Sequence, residues 1–333
     1  MAFADWLEQS HPEGRQVIEC AQLTKRYGRQ ERRALDSVTF RTPSDGIFVL
    51  IGRNGSGKTT LVRILSTELE PSSGSASIDG ADVMANAAEI RNRIAIVPQE
   101  ARTVNWMTPM QTAFSYLLWR GFDRSEAKSR ALESLEKLGM GKYAGSLNRT
   151  LSGGMKRKVL VATVLASEAD IIFLDEPTTG LDPVSRKEFW EILRETSRER
   201  FVFLTTHYLE EAEALADNIA ILDSGRLVRM GTLQNLRKSI DYNFSLRISR
   251  NQAVSLPRVK NGEVFDGTEE IHILTVEEEA YEISRELAKQ GIRYTINPVS
   301  LEDIFFYIVA GEGNRSEGGE FDGEIRRQKT EEE

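Results

Sequence analysis

Cysteine is almost absent, with Cys20 alone in 333 residues. That excludes an intrachain disulfide framework and any cysteine-built metal cluster. Histidine is nearly as scarce, and His11, His207 and His272 are too scattered to show metal-ligand spacing. No run reaches the ~18 consecutive apolar residues of a membrane-crossing helix. The nearest, uncharged from Thr103 to Trp119, is broken by Asn105, Pro109 and Gln111. If such a chain does membrane work, another subunit must supply the span. Positive charge is also in deficit, with 43 Lys and Arg against 51 Asp and Glu for a net charge of -8. A generic nucleic-acid binder gains its affinity by neutralising phosphates, so this balance argues against one. The opening MAFADWLEQS has neither the basic start nor the apolar centre of a secretory signal, and the expectation is a cytoplasmic chain. No internal repeat is visible.

What is present is an ordinary soluble composition, 40% apolar and 28% charged, at a length that predicts roughly two domains. Residues 1–15 read as a loose leader. From 16 to about 240, short apolar runs alternate with helical periods, which predicts α/β units. The runs GIFVLIG (46–52), RIAIVP (93–98), DIIFLD (170–175) and FVFLTT (201–206) read as buried strands. A helical insert is expected over about 105–150, with a helix ending at the LEKLG (135–139) glycine. From 241 to 311 the pattern reads as a small α+β domain. Strands are expected at NFSLRIS, IHILTV and RYTINP, and a helix places Val276, Ala280, Ile283 and Leu287 on one face. SLEDIFFYIVAG predicts a last helix. Residues 312–333, rich in Gly, Glu and Arg, read as a disordered acidic tail.

Gly52–Thr59, GRNGSGKT, fits the Walker A pattern. Its glycines let backbone N–H groups of Gly52, Arg53, Asn54, Gly55, Ser56 and Gly57 turn towards phosphates. Lys58 is expected at the β/γ oxygens, Thr59 at Mg²⁺, and Thr60 beside them at the helix start. A strand precedes the motif and a helical period follows it, as a P-loop requires. IIFLDEP (171–177) has the Walker B form, an apolar strand presenting Asp175 to Mg²⁺ and Glu176 to an attacking water. Alone that run is a weak signal. Coupled to the first motif it predicts ATP binding and hydrolysis on a P-loop α/β fold.

LSGGM (151–155), then LDEPTTGLDP, then TTHYLEEAEALADNIAIL in that order resemble the nucleotide-binding subunit of ATP-binding cassette (ABC) transporters over about Val17 to Lys238. The resemblance implies roles beyond the two phosphate motifs. LSGG would be the signature sequence, opening a helix whose Ser152, Gly153 and Gly154 face the γ-phosphate held by a second subunit, as suits a helix N-terminus. Tyr27 would stack on adenine, Gln99 would reach Mg²⁺ as the Q-loop glutamine, Asp182 would form the D-loop, and His207 would contact the γ-phosphate. Met155 stands where many family members have glutamine. LSGGMKRK, THYLEEAEALAD and SLEDIF are instead similar to a branch exporting drugs, polysaccharides or lipids.

Expected partners are therefore an integral membrane permease and a second ABC subunit, in a likeness that implies a homodimer and no nucleic acid. The chain would sit on the inner face of the cell membrane through the permease. NWMTPMQTAFSYLLW (105–119) would offer Trp106, Phe114, Tyr116, Leu118 and Trp119 to that partner, or bury some of them in the insert. The competing class is a soluble ABC ATPase acting on nucleic acid or ribosomes, which predicts tandem cassettes or a long heptad insertion; neither is in the sequence. A non-hydrolysing ATP-gated regulator is a third class, disfavoured by Glu176 and His207.

Overall fold

The computed structural model describes residues 17–28, 32–250, 259–266 and 269–314. The expected leader 1–15 lies outside them. The chain divides into two compact units, 1–232 and 233–333, so the division falls eight residues before the expected 240.

In the first unit the strands are β1 (Ile18–Tyr27), β2 (Arg32–Arg41), β3 (Ile47–Ile51), β4 (Ser73–Ile78), β5 (Ala81–Asp82), β6 (Ile94–Val97), β7 (Ile171–Asp175), β8 (Phe201–Thr206), β9 (Asn218–Asp223) and β10 (Arg226–Gly231). The helices are α1 (Lys58–Leu65), α2 (Ala87–Arg93), α3 (Pro109–Trp119), α4 (Arg124–Lys137), α5 (Gly153–Leu165), α6 (Pro183–Thr196) and α7 (Leu209–Leu215). All four apolar runs expected as strands are strands. Every residue of β3, β7 and β8 is buried, because strands covered on both faces read as continuous apolar runs.

They form a six-stranded sheet in the order β10-β9-β3-β8-β7-β6. Within it β6, β7, β8, β3 and β9 pair in parallel, and β10 is antiparallel to β9. A second, antiparallel sheet has the order β2-β1-β4-β5. Phe40 of β2 stacks on Phe48 of β3 with centroids 5.8 Å apart, and Phe48 on Phe203 of β8 at 5.1 Å. This aromatic column joins the two sheets in one core running from Val17 to Met230.

The parallel pairing decides where chemistry can occur. β3, β8, β7 and β6 lie side by side and all end at the same edge, and in open α/β sheets the ligand crevice lies outside those carboxyl ends. The loop 52–57 leaves β3, Pro98 and Gln99 follow β6, Glu176 follows β7 and His207 follows β8.

The helical insert begins with a capping box. Thr108 Oγ1 accepts from Gln111 N, and Gln111 Oε1 accepts from Thr108 N, with Pro109 in the first turn of α3. Asp123 caps α4 by accepting from Ser125 N and Glu126 N, and Gly139, at φ 68°, turns the chain after it. Ala113 and Leu117 of α3 pack on Ala127 and Ala131 of α4 and on Ala166.

The second unit contains α8 (Leu233–Lys238), β11 (Phe244–Ser249), β12 (Gly262–Asp266), β13 (Glu270–Thr275), α9 (Glu277–Lys289), β14 (Tyr294–Pro298) and α10 (Leu301–Asn314). Its antiparallel sheet runs β12-β13-β11-β14, and Ala280, Ile283 and Leu287 of α9 cover Leu246, Ile248, Ile271 and Ile273. The expected helical face is thus the buried one. α10 continues to Asn314, a correction to the tail start at 312; the remainder of the expected tail lies outside the described residues. Among the described residues, no helix is long and apolar enough to cross a membrane.

Candidate active site

The loop after β3 is shaped by close backbone approach. A Cβ on Gly52 would lie 2.3 Å from Leu222 O, and one on Gly57 would lie 2.4 Å from Ala34 O. Gly57 also sits at φ 109°, a region closed to most L residues. The loop can pass between β2 and β9 only as glycine, and it then delivers the unpaired N–H groups of the first turn of α1 to the sheet edge.

Lys58 opens α1 with its side chain buried. Its Nζ donates to Gly52 O at 2.8 Å and Arg53 O at 3.2 Å, and lies 3.6 Å from Glu176 Oε1. Burial pushes the ammonium below its ordinary pKa, opposed by the charges of Glu176 and Asp175. Thr59 Oγ1 donates to Gln99 Oε1 at 3.2 Å, and Gln99 Nε2 donates to Glu176 Oε2 at 3.2 Å. The glutamine therefore bridges the first turn of α1 to the residue that follows β7.

Glu176 is the centre of the arrangement. Its Oε2 also receives Thr179 Oγ1 at 3.4 Å and lies 3.2 Å from His207 Nδ1. The residue is buried, and its φ of 49° puts it in the left-handed region. A non-glycine residue there carries about 1–3 kcal/mol of strain and persists where its surroundings fix it. Glu176 N donates to Thr205 O and to Thr205 Oγ1, each at 3.1 Å, while Glu176 O accepts from Arg157 Nη2 at 3.1 Å. Thr205 Oγ1 in turn donates to Asp175 Oδ1.

Asp175 Oδ2 is buried and, among the described residues, has no hydrogen-bond partner. An unsatisfied carboxylate oxygen at full burial is costly, and a cation would satisfy it. Together with Thr59 Oγ1 and Gln99 Oε1 it offers oxygen donors alone, the chemistry that suits Mg²⁺ rather than a soft metal. Among the described residues, no cluster of three or more His, Cys, Asp or Glu could hold a metal unaided. Such an ion would draw its remaining ligands from phosphate oxygens and water, as Mg²⁺ commonly does.

The structure brings together Lys58, Thr59, Gln99, Asp175, Glu176 and His207. The loop 52–57 and Thr60 adjoin them, with Gly52 O and Arg53 O accepting from Lys58 Nζ, and Gly153 lines one cavity with Gln99 and Glu176. Tyr27, Ser152 and Asp182 form no hydrogen bond with them among the described residues. Ser152 caps α5, its Oγ accepting from Met155 N at 3.2 Å, and among the described residues no hydrogen bond joins 152–154 to 52–60. Asp182 caps α6 through Val184 N and Ser185 N, and these backbone bonds, Ser185 first, hold its carboxyl below the usual range. Tyr27 stands exposed at the end of β1 with Lys25 Nζ 5.6 Å from its ring centre. In the insert, Trp106, Leu118 and Trp119 are exposed, whereas Phe114 packs on the insert's core.

Sequence reasoning missed Thr205, Thr179 and Arg157. The first two read as part of a strand and a turn. Arg157 had a legible signal: on α5 it is spaced with Val161 and Val164 on a buried stripe, but it stands in MKRK and reads there as one of three surface cations.

Residues 35–179 match the family described as ABC transporter. The chain is 37% identical over 240 residues to the daunorubicin/doxorubicin resistance ATP-binding protein DrrA of Streptomyces peucetius, covering 72% of each chain. It is 34% identical over 329 residues to the daunorubicin resistance ATP-binding protein DrrA2 of Streptomyces coeruleorubidus, covering 91% of this chain and 97% of that one. Among solved structures, an ATP-binding subunit of an ABC transporter superposes with a TM-score of 0.60 at 28% identity, over 67% of this chain and 92% of the other. A phosphate loop, a buried carboxylate and a bridging glutamine at one sheet edge, with these likenesses, place the chain in the ABC transporter family as an ATP-binding and ATP-hydrolysing subunit.

Proposed function

We propose that Glu176 is the base of ATP hydrolysis in a composite site completed by a second copy of this chain, and that the cycle drives export through a membrane permease. The observation that carries the reading is the convergence of Lys58, Gln99 and His207 on the Glu176 carboxylate. In this reading the loop 52–57 and the first turn of α1, with Thr60, cradle the phosphates. Lys58 leaves Gly52 O and Arg53 O to meet the β/γ oxygens. Thr59, Gln99 and Asp175 would hold Mg²⁺, whose charge would offset that developing on the phosphoryl oxygens. Glu176 accepts a proton from the attacking water, and His207 holds the γ-phosphate in line. Tyr27 offers its exposed ring to adenine. Ser152, Gly153 and Gly154 present the N-terminus of α5, flanked by Asp182, to the nucleotide of the opposite copy.

Export is supported by the likeness to relatives named for drug resistance. The exposed Trp106 and Trp119 suit a permease contact, since aromatic anchors dominate many interfaces. Such a contact would place the chain on the inner face of the cell membrane.

Glu176→Gln tests the base. The amide retains the bonds from Gln99 and Thr179 to its oxygen but cannot take the proton of water. Phosphate release should fall about 10²–10⁴-fold with ATP affinity retained, and an ATP-dependent dimer should persist on gel filtration. Turnover near wild type would remove Glu176 from this role.

A further inference from the structure

Arg157 is a buried guanidinium whose hydrogen bonds, among the described residues, all go to main-chain carbonyls. It lies on α5, 8% exposed, and among the described residues forms no ion pair with a carboxylate. A guanidinium has five N–H donors in one plane, and each has an acceptor here. Nε donates to Pro177 O at 3.2 Å. Nη1 donates to Pro98 O at 3.0 Å and Gln99 O at 3.4 Å. Nη2 donates to Asp175 O and, at 3.1 Å, to Glu176 O.

Those carbonyls lie in two places only, the loop leaving β6 and the end of β7 with the loop that leaves it. The side chains those loops present, Gln99 and Glu176, are hydrogen-bonded to each other. Burying a charge with no counter-ion is unfavourable, and burial does pull the guanidinium below its ordinary pKa, opposed by the charges of Asp175 and Glu176. A neutral side chain would fill the same volume without that penalty. What a neutral or flexible side chain lacks is a rigid fork able to fix five carbonyls in one plane.

We infer that Arg157 is a positioning residue for ATP hydrolysis, setting the spacing and orientation of Gln99 and Glu176 from the helix that opens at the LSGG turn. All five of its donors are taken by main-chain carbonyls, so it acts through Gln99 and Glu176. Its bond to Glu176 O helps hold that residue at φ 49°, and its bonds to Pro98 O and Gln99 O fix where the bridging carboxamide starts. Because the guanidinium is carried by α5, a displacement of that helix reaches both loops at once. The inference rests on the assignment of Gln99 and Glu176 to hydrolysis.

The test is Arg157→Lys in the full chain, with Arg157→Gln as a second variant. Lysine keeps the charge and most of the stem but cannot span both loops. Misplacement by about 1 Å costs up to roughly 10²-fold in rate, so kcat should fall at least about tenfold while KM for ATP, set by the untouched cradle, moves less than about threefold. Combined with Gln99→Ala, the loss should be well short of the product of the single losses, as for residues acting through one another. An unchanged kcat, a parallel loss of kcat and ATP affinity, or losses that multiply would each overturn the inference. Insolubility of both variants would assign the guanidinium to folding and overturn it too. If Glu176→Gln remains active, the underlying site reading fails; if it is inactive while Arg157→Lys turns over normally, only the role of Arg157 fails.

Discussion

Glu211, on the helix that follows His207, is fully buried and accepts from Trp190 Nε1 at 3.0 Å and from Thr178 Oγ1 at 3.1 Å. Burial pushes its carboxyl above the usual range, opposed by hydrogen bonds from Thr206, Trp190 and Thr178. A group whose folded pKa is raised contributes stability that is fully present below its unfolded value and lost as pH rises through the folded value. Glutamine can keep the Trp190 and Thr178 bonds, with its oxygen on Trp190 and its amide donating to a Thr178 hydroxyl turned to accept. Glu211→Gln should therefore flatten the fall in stability on the alkaline side of the ordinary glutamate range. Denaturant unfolding at a series of pH values measures this, and an unchanged slope would mean that Glu211 stays charged in the fold. Glu211 and Arg157 also mark where reading from sequence stops. Lys58 and Glu176 stand in fixed spacing with glycines and an apolar strand, whereas these two acquire their environments from Trp190 and from the β6 and β7 loops, far away in the chain.

At the scale of elements the strands and helices were legible because their causes are local. β3, β7 and β8 are apolar throughout, and α9 shows its buried face as Ala280, Ile283 and Leu287. The end of α10 was not legible: Gly311 and Gly313 are poor helix residues, yet the helix continues to Asn314. The order of the central sheet was also hidden, since β3 lies between β8 and β9 and no local pattern encodes which strands become neighbours. The start of α3 is a local device open to measurement. Thr108→Ala removes the acceptor for Gln111 N and half of the capping box. Loss of such a cap costs about 1 kcal/mol, or roughly 2–4 °C in the Tm of a domain this size. KM for ATP should stay at the wild-type value, because the insert supplies nothing to the cradle. A Tm shift below about 1 °C, on the order expected of a surface change, would show that Pro109 and Gln111 fix the helix start without the threonine.

For the whole molecule, the absence, among the described residues, of any hydrogen bond between 152–154 and 52–60 has a consequence for assembly. If the α5 N-terminus serves the nucleotide of a second copy, each active site pairs Lys58 of one chain with Ser152 of the other. A Lys58→Ala dimer then lacks both cations, and a Ser152→Arg dimer carries a bulky cation in both lids, so each homodimer should be nearly inactive. A mixed dimer gathers the two defects into one site and leaves the other with both wild-type components. Phosphate release should reappear on mixing, highest near equal proportions, although coupling between sites keeps it below half of wild type. If residues 152–154 acted within their own chain, the mixed dimer would carry one defect in each site and remain inactive. The two variants can be given different affinity tags, combined with the permease, and purified through both tags in succession so that only heterodimers are assayed. Inactive heterodimers at every ratio, with nucleotide still bound by the Ser152→Arg chain, would place the LSGG turn in service of its own chain and remove the composite site from the proposal.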